Sequence, residues 1–577
     1  MSGIIIAILT LTVAADSPYP STCVVPAFAQ AKREFLKAST LPETRPTVEA
    51  SDAWGHRYKI ETDGVVVEQV NGGRYVLNGS TGLPIETITC AATAPNGDVW
   101  FGSRQGAIRW TSGRFEYYAG NRWLPDDRVQ AVQCLPDNSV YVWTPAGVGH
   151  IYFRRMTLEQ KAEHYEKLTD ARHKRFGYVS GCDLTRPGDL SQWQNASDDN
   201  DGLWTAMYVA AESFRYAVTQ SPQARQNARQ SLLALLELEK VTGIPGFPAR
   251  SRVHKSEAEF GKPRGGEWHK TPDGEWEWKG DTSSDEIVGH YFGWQVYYDL
   301  VADDDEKAMI RKTVRRVTDH IIDNGYCLID VDGEPTRWAV WAPERLNDDP
   351  ECRGDRGLNS LEILSHLKVA SHITGDEKYD QAAMKLIQKH HYALNTINQK
   401  VLPDDFPGAI ENHPDNQLAF LAYYSLLKLE NTSALRAFYL ASIERSWRIQ
   451  RSQRSPLYNF IYGAVTNRAC DVESAVKTLE EIPLDLVRWT VTNSLRKDLK
   501  WSALPDRFDR PQLVSPLPYQ EQPLQKWSGN PYLTDGGREG LAEECGTYWL
   551  LPYWMGRYHR IIDEAGQLHD QPTTTQK

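Results

Sequence analysis

Six stretches of this 577-residue chain are apolar and aromatic on nearly every side of a helix, and a helix of that kind has no face to turn to water. They begin near Asp201 (DGLWTAMYVAAESFRYAV), Asp281 (DTSSDEIVGHYFGWQVYYDLV) and Gly357 (GLNSLEILSHLKVASHI). The other three begin near Asp415 (DNQLAFLAYYSLLKL), Pro456 (PLYNFIYGAVTNRA) and Arg538 (REGLAEECGTYWLLPYWMGRYHRI). Charge-rich helices with one apolar stripe lie between them, such as ARQNARQSLLALLELEKV, DEKAMIRKTVRRVTDHII and DEKYDQAAMKLIQKHHYAL, and LEQKAEHYEKLTDARHKRF precedes the first. A one-striped helix packs on protein with one side and meets solvent with the other. Six helices of the first kind alternating with six of the second predict an inner ring within an outer ring, an (α/α)6 toroid over residues 156–565. An open solenoid is the rival, but it would not need inner helices so rich in aromatic residues.

Residues 51–155 follow a different pattern: short apolar alternations punctuated by Gly, Asn and Asp, which is strand-and-turn chemistry. A repeat of about 41 residues runs through them. Leu83-Pro84 aligns with Leu124-Pro125, Pro95-Asn96 with Pro136-Asp137, and Val99-Trp100-Phe101 with Val140-Tyr141-Val142; Gly64, Gly106 and Gly147 mark the following turn. The unit resembles the propeller repeat of two-component-regulator sensor domains over about 100 residues. With roughly two and a half units, short of the four blades of a typical closed propeller, a small open all-β module packed on the rest is expected. The leader, 16–50, contains one helical patch near Ala27–Lys37.

The net charge of −12 and pI near 5.7 argue against a nucleic-acid partner, which wants a basic stripe. The run IIIAILTLTVAA after Met1-Ser2-Gly3 is too short to span a bilayer. With Val13 and Ala15 placed before a cleavage point, it resembles a secretory signal over residues 1–15, although no Lys or Arg precedes it. A secreted or periplasmic protein without a membrane span follows, ending in a disordered tail, 566–577. Eight cysteines scattered without a CxxC give no zinc site of that kind. Cys90 and Cys134, in strand-like runs of adjacent repeats, are the pair most expected to lie near each other, as a disulfide or as buried thiols.

The helical rhythm resembles the six-hairpin glycosidases and the toroidal polysaccharide lyases over about 400 residues. That resemblance implies a substrate cleft at the end of the barrel where the inner helices start. SDDNDGLW supplies Asp201, similar to the helix-start aspartate of unsaturated glucuronyl hydrolases, and Trp204; a carboxylate there also serves as an ordinary helix cap. KGDTSSDEIVGHYF supplies Asp281, Asp285, Glu286 and His290, with Asp281 and Asp285 four apart, as are Glu286 and His290. The aromatic loop before it, with Trp268, Trp276 and Trp278, would cover a sugar subsite or decorate the surface. Arg353 and Asn359 lie before and within the third inner helix, where an Arg fork suits a uronate carboxylate or an internal salt bridge. IENHPDNQLAF supplies Asn412, His413, Asp415 and Asn416.

Two chemistries compete on these residues. A glycoside hydrolase would use Asp201 and Asp285 as acid and base or nucleophile, the acid raised by desolvation. A lyase cleaving a uronic-acid glycan by β-elimination would use His413, Asn412, Tyr462 and Arg353. Carboxylates at three inner-helix starts favour hydrolysis of a poly- or oligosaccharide. A non-catalytic glycan-binding protein is the alternative from another class. No cofactor is expected; the Asp-rich loops would suit calcium, but EF-hand spacing is absent. Asn78, Asn195 and Asn431 fit the N-glycosylation pattern.

Overall fold

The computed structural model describes residues 23–41, 46–399 and 411–563; the expected signal and the expected tail lie outside the described residues. Among the described residues there are twelve helices of at least ten residues. They are α1 (Leu158–Arg172), α2 (Asp201–Thr219), α3 (Pro222–Val241), α4 (Ser284–Leu300), α5 (Asp304–Asp323) and α6 (Arg356–Thr374), followed by α7 (Glu377–His390), α8 (His413–Leu429), α9 (Ser433–Gln450), α10 (Pro456–Thr466), α11 (Val472–Glu481) and α12 (Thr547–Tyr558).

The even-numbered helices are the apolar ones. Each packs on the next (α2 on α4, then α6, α8, α10 and α12), and α12 returns to pack on α2, so the ring is closed. The odd-numbered helices lie outside it, each against one or two inner neighbours. Burial follows: α4 hides twelve consecutive positions from Glu286 to Tyr297, and Ser284 before them, whereas α5 buries only one stripe, including Ile310, Val314, Val317 and Ile321. The centre of the ring is filled by side chains, where Gln417 of α8 donates to the Met207 sulfur of α2 at 2.8 Å.

One boundary differs from expectation. The last inner helix starts at Thr547, nine residues after Arg538, because Ala542–Glu543 pairs as a strand with Cys182–Asp183. Glu539 and Gly540 before it take positive φ, which breaks a helical run.

The described residues between 28 and 156 form three four-stranded antiparallel sheets. The first contains Glu49–Ser51, Arg57–Glu61, Gly64–Glu68 and Arg74–Leu77. The second contains Ile88–Thr93, Val99–Ser103, Gly106–Thr111 and Arg114–Tyr118. Gly64, Gly106 and Gly147 each open the third strand of a unit, all at φ between 128° and 141°, a conformation open to glycine and strained for other residues. The third sheet takes Ala131–Cys134, Val140–Thr144 and Gly147–Met156, and its fourth strand is Phe28–Leu36. The patch expected to be helical is therefore a strand. Its nine residues pair along Gly147–Met156, from Phe28 opposite Met156 to Leu36 opposite Val148, and cover an edge that would otherwise be open. Cys90 and Cys134 are thiols, not a disulfide.

The sheets are tied to the ring by a buried amine. Lys161 of α1, fully buried, shares its three N–H donors among four acceptors: Gln30 Oε1 at 2.8 Å, the Leu479 and Glu480 carbonyls at 2.8 and 2.9 Å, and the Ile482 carbonyl. It thus satisfies carbonyls at the C-terminal end of α11, which have no partner within the helix. Lys161→Met would leave Gln30 Oε1 and the Glu480 carbonyl without this donor, while the Leu479 carbonyl keeps Trp549 Nε1 at 3.0 Å and the Ile482 carbonyl keeps the Tyr165 hydroxyl at 3.4 Å. The cost is about 1–3 kcal/mol for each acceptor left unpaired. Thermal denaturation should show a melting temperature several degrees lower; an unchanged value would mean the amine is not the tie.

Candidate active site

All six inner helices start at one end of the ring, and the clearest polar constellation lies where α2 and α4 begin. Asp201, at the first turn of α2, is fully buried. Its Oδ2 meets Arg175 Nη2 at 2.5 Å and accepts from the Ser251 hydroxyl, and its Oδ1 accepts from the Asp198 amide at 3.1 Å. Arg175 also pairs with Glu257 at 2.9 Å. Every oxygen of Asp201 is thereby committed, and its contribution is to fix the turn 198–201.

That turn presents Asp198. Its Oδ1 accepts from the Trp204 indole N–H at 3.0 Å, and its Oδ2 faces Lys526 Nζ at 3.2 Å. Burial opposes the charge on Asp198, but the lysine and the N–H donors outweigh it and hold the carboxyl below its ordinary value. The Lys526 ammonium stands 3.9 Å over the Trp204 ring. Beside it, Asp199 is gripped by Arg250 at 2.9 Å and by Lys279.

Two open cavities flank Asp198. One, of about 830 Å³, is lined by Trp204, Arg488, Lys526, Arg538 and Glu544 among others. The second, of about 1040 Å³, is lined by Arg250, Trp268, Lys279, Asp281, Arg337 and Trp338 among others. Ser197, Asp198 and Glu259 line both, and Glu259 Oε2 accepts from Ser197 N at 2.9 Å and from Ser197 Oγ at 2.8 Å. The aromatic loop forms a small sheet, Trp268–Lys270 and Ser251–His254 on either side of Trp276–Lys279. It brings Trp268 to the second cavity beneath the Arg264 guanidinium, 3.6 Å away.

Behind the second cavity lies the first turn of α4. Asp285 is half-buried, and burial raises its carboxyl although Arg250 opposes the shift. Glu286 is fully buried, and burial pushes its carboxyl well above the ordinary value. It occupies the space that a side chain at Gly202 would need: a Cβ there would lie 1.9 Å from Glu286 Oε2 and 3.1 Å from His290 Nε2. His290 is stacked on Trp294 with ring centroids 4.9 Å apart, and burial drives it down to about 3. Glu362 and His366 repeat this pair on α6, with Glu362 accepting from Trp341 Nε1 at 2.9 Å.

Of the residues expected in the cleft, Trp204 and Asp281 line the cavities; Asp201, Asp285 and His290 stand behind them. Trp278 is buried in the small sheet, 4.5 Å from the His269 ring, and does not reach either cavity. The starts of α6 and α8 hold a separate group. Asn359 donates to the Val340 carbonyl at 2.9 Å, Asn412 to Asp415 at 2.6 Å, and Asn416 to Glu411 at 3.0 Å. His413 is buried with its ring 6.0 Å from Tyr532, and Arg353 is exposed in the turn before α6. Tyr462 does not join this group: it donates to Glu444 of α9 and stacks on Trp447 at 4.1 Å, on the outer side of α10. Lys526, Arg250 and Glu259 went unforeseen because they come from irregular segments with no periodicity to read.

Among the described residues one cluster has metal-ligand types in reach, His173, Cys182 and Glu543. Both Glu543 oxygens are taken by Arg172, at 2.6 and 2.8 Å, which makes the cluster an ion pair. In the loop that suggested calcium, Asp198 and Asp199 are paired with cationic side chains.

No protein-family model matches the chain, and no curated protein matches its sequence. Among solved structures, a family 76 glycoside hydrolase (mannosidase), Bt3792 from Bacteroides thetaiotaomicron, aligns at 9% identity over 70% of this chain and 98% of its own, with a TM-score of 0.38. AaCel9A, solved in complex with cellobiose-like isofagomine, aligns at 10% identity over 81% of this chain and 93% of its own, with a TM-score of 0.39. The GH76A alpha-1,6-mannanase from a Salegentibacter species aligns at 10% identity over 70% and 99%, with a TM-score of 0.27. These values carry no argument for activity, which has to come from the site.

The division between Asp201 and Asp198 is testable. Asp201→Ala would strip the buried Arg175 of one carboxylate and lower stability by about 3 kcal/mol. Asp198→Asn, nearly isosteric and facing the cavities, should change the melting temperature little. Denaturant titration of both variants checks this; equal losses would mean that Asp198 is structural as well.

Proposed function

We propose that this chain is an exported glycoside hydrolase acting on a poly- or oligosaccharide at the cleft around Asp198. The observation that carries the reading is a pair of carboxyls at neighbouring helix starts shifted in opposite directions, Asp198 down by Lys526 and Asp285 up by burial. Such a split divides the roles of base and acid. Asp198 would take the proton of a water or attack the anomeric carbon, and Asp285, which stands behind the second cavity and does not line it, would protonate the departing oxygen through one bridging water. Trp204, Trp268 and Trp338 offer faces for sugar rings. Eight Arg and Lys side chains line the two cavities, but each is paired with a carboxylate and nine Asp and Glu side chains line them too, so a neutral glycan suits the lining as well as one bearing uronates. The elimination alternative loses its tyrosine, since Tyr462 is bonded to Glu444. Export rests on the apolar run at the N-terminus.

A panel of neutral and uronate polysaccharides, followed for reducing ends and for absorbance of unsaturated products, tests the reading. Reducing ends should appear without that absorbance, and Asp198→Asn and Asp285→Asn should each cost about 10²–10⁴-fold in kcat. Strong absorbance would establish elimination instead; binding without turnover would establish a lectin-like protein. Hydrolysis needs Asp198 ionised, which its lowered pKa allows into acid solution, and Asp285 protonated, which its raised pKa extends upward. The pH profile of kcat should therefore be a bell with an acidic optimum, and a rate still rising above neutrality would exclude Asp285 as the acid.

A further inference from the structure

We infer that this site cuts inside polysaccharide chains rather than at their ends, an inference that rests on the glycosidase reading above. A chain-end enzyme needs one cavity with a wall behind the reacting carboxylates. Here two open cavities meet at the same three residues, Ser197, Asp198 and Glu259. Ser197, joined to Glu259 by two hydrogen bonds, and Asp198 form the ridge that borders both.

At about 830 and 1040 Å³, each cavity matches or exceeds the roughly 300–1,000 Å³ that encloses a whole drug-sized ligand, so each has room for more than one sugar ring. Each also has its own aromatic surface. Trp204 lies in the first, and Trp268 with the exposed Trp338 lies in the second. Cationic side chains stand on both flanks, Arg488 and Arg538 on one side, Arg337 and Lys279 on the other. A glycan binding both surfaces must pass over the ridge, which puts an internal linkage at Asp198. There the oxygen of water bonds to the anomeric carbon and the glycosidic C–O bond breaks. The departing oxygen takes a proton from the acid, and the base takes one from the water.

The full chain should be incubated with polygalacturonate, alginate, xylan, carboxymethylcellulose and yeast mannan, following viscosity, reducing ends and product size together. For any polymer cut, viscosity should collapse while few reducing ends have formed, and the first products should be long oligosaccharides. Trp338→Ala should lower kcat/KM for long oligosaccharides of that polymer roughly five- to tenfold, and more than for short ones. Mono- or disaccharides released from the outset, with viscosity falling only in step with them, would overturn the internal mode while leaving the glycosidase reading intact. A panel on which nothing is hydrolysed would overturn the glycosidase reading and this inference with it.

Discussion

Everything in this structure follows from helices that cannot face water. α4 and α8 are apolar around their whole circumference, and a layer or an open arc would leave one side of each exposed, at roughly 25 cal/mol for every Å² of apolar surface. A closed ring, with α12 returned against α2 and an outer layer of one-striped helices, removes that exposure. Because an outer helix returns the chain between successive inner ones, the inner helices run the same way and their polar first turns gather at one end. The cleft is a consequence of how the apolar surface is buried.

Within that end, electrostatics sorts chemically similar residues into different roles. Asp198 and Asp201 are three positions apart. Asp201 is enclosed by Arg175, Ser251 and a backbone amide, and its charge is spent on holding a turn. Asp198 meets a lysine at the cavity edge and stays ionised there. Glu286, next to Asp285, is buried so deeply that its carboxyl is raised well above the ordinary range, and it occupies the space that a side chain at position 202 would need. Burial and the identity of the nearest cation, rather than residue type, distinguish scaffold from candidate chemistry.

The sheets show how far local pattern reaches. The 41-residue repeat and its glycines were legible because each unit closes its own hairpins through a positive-φ glycine. The strand Phe28–Leu36 was not legible. Its partner lies more than a hundred residues away, and a nine-residue amphiphilic run is compatible with either period until an open sheet edge selects one. The late start of α12 has the same origin, since Ala542–Glu543 pairs with a strand some 360 positions earlier.

By itself the sequence determined the inner and outer helices, the repeat of the sheets, and the helix starts where polar residues concentrate, because each is written in spacing along a few turns of chain. It could not say which of those polar residues meet. That Lys526 reaches Asp198, that Arg175 closes over Asp201, and that Tyr462 turns outward to Glu444 were decided only by tertiary structure. Contacts between distant segments depend on the closed ring and on irregular segments packed across its end, and no local periodicity encodes them.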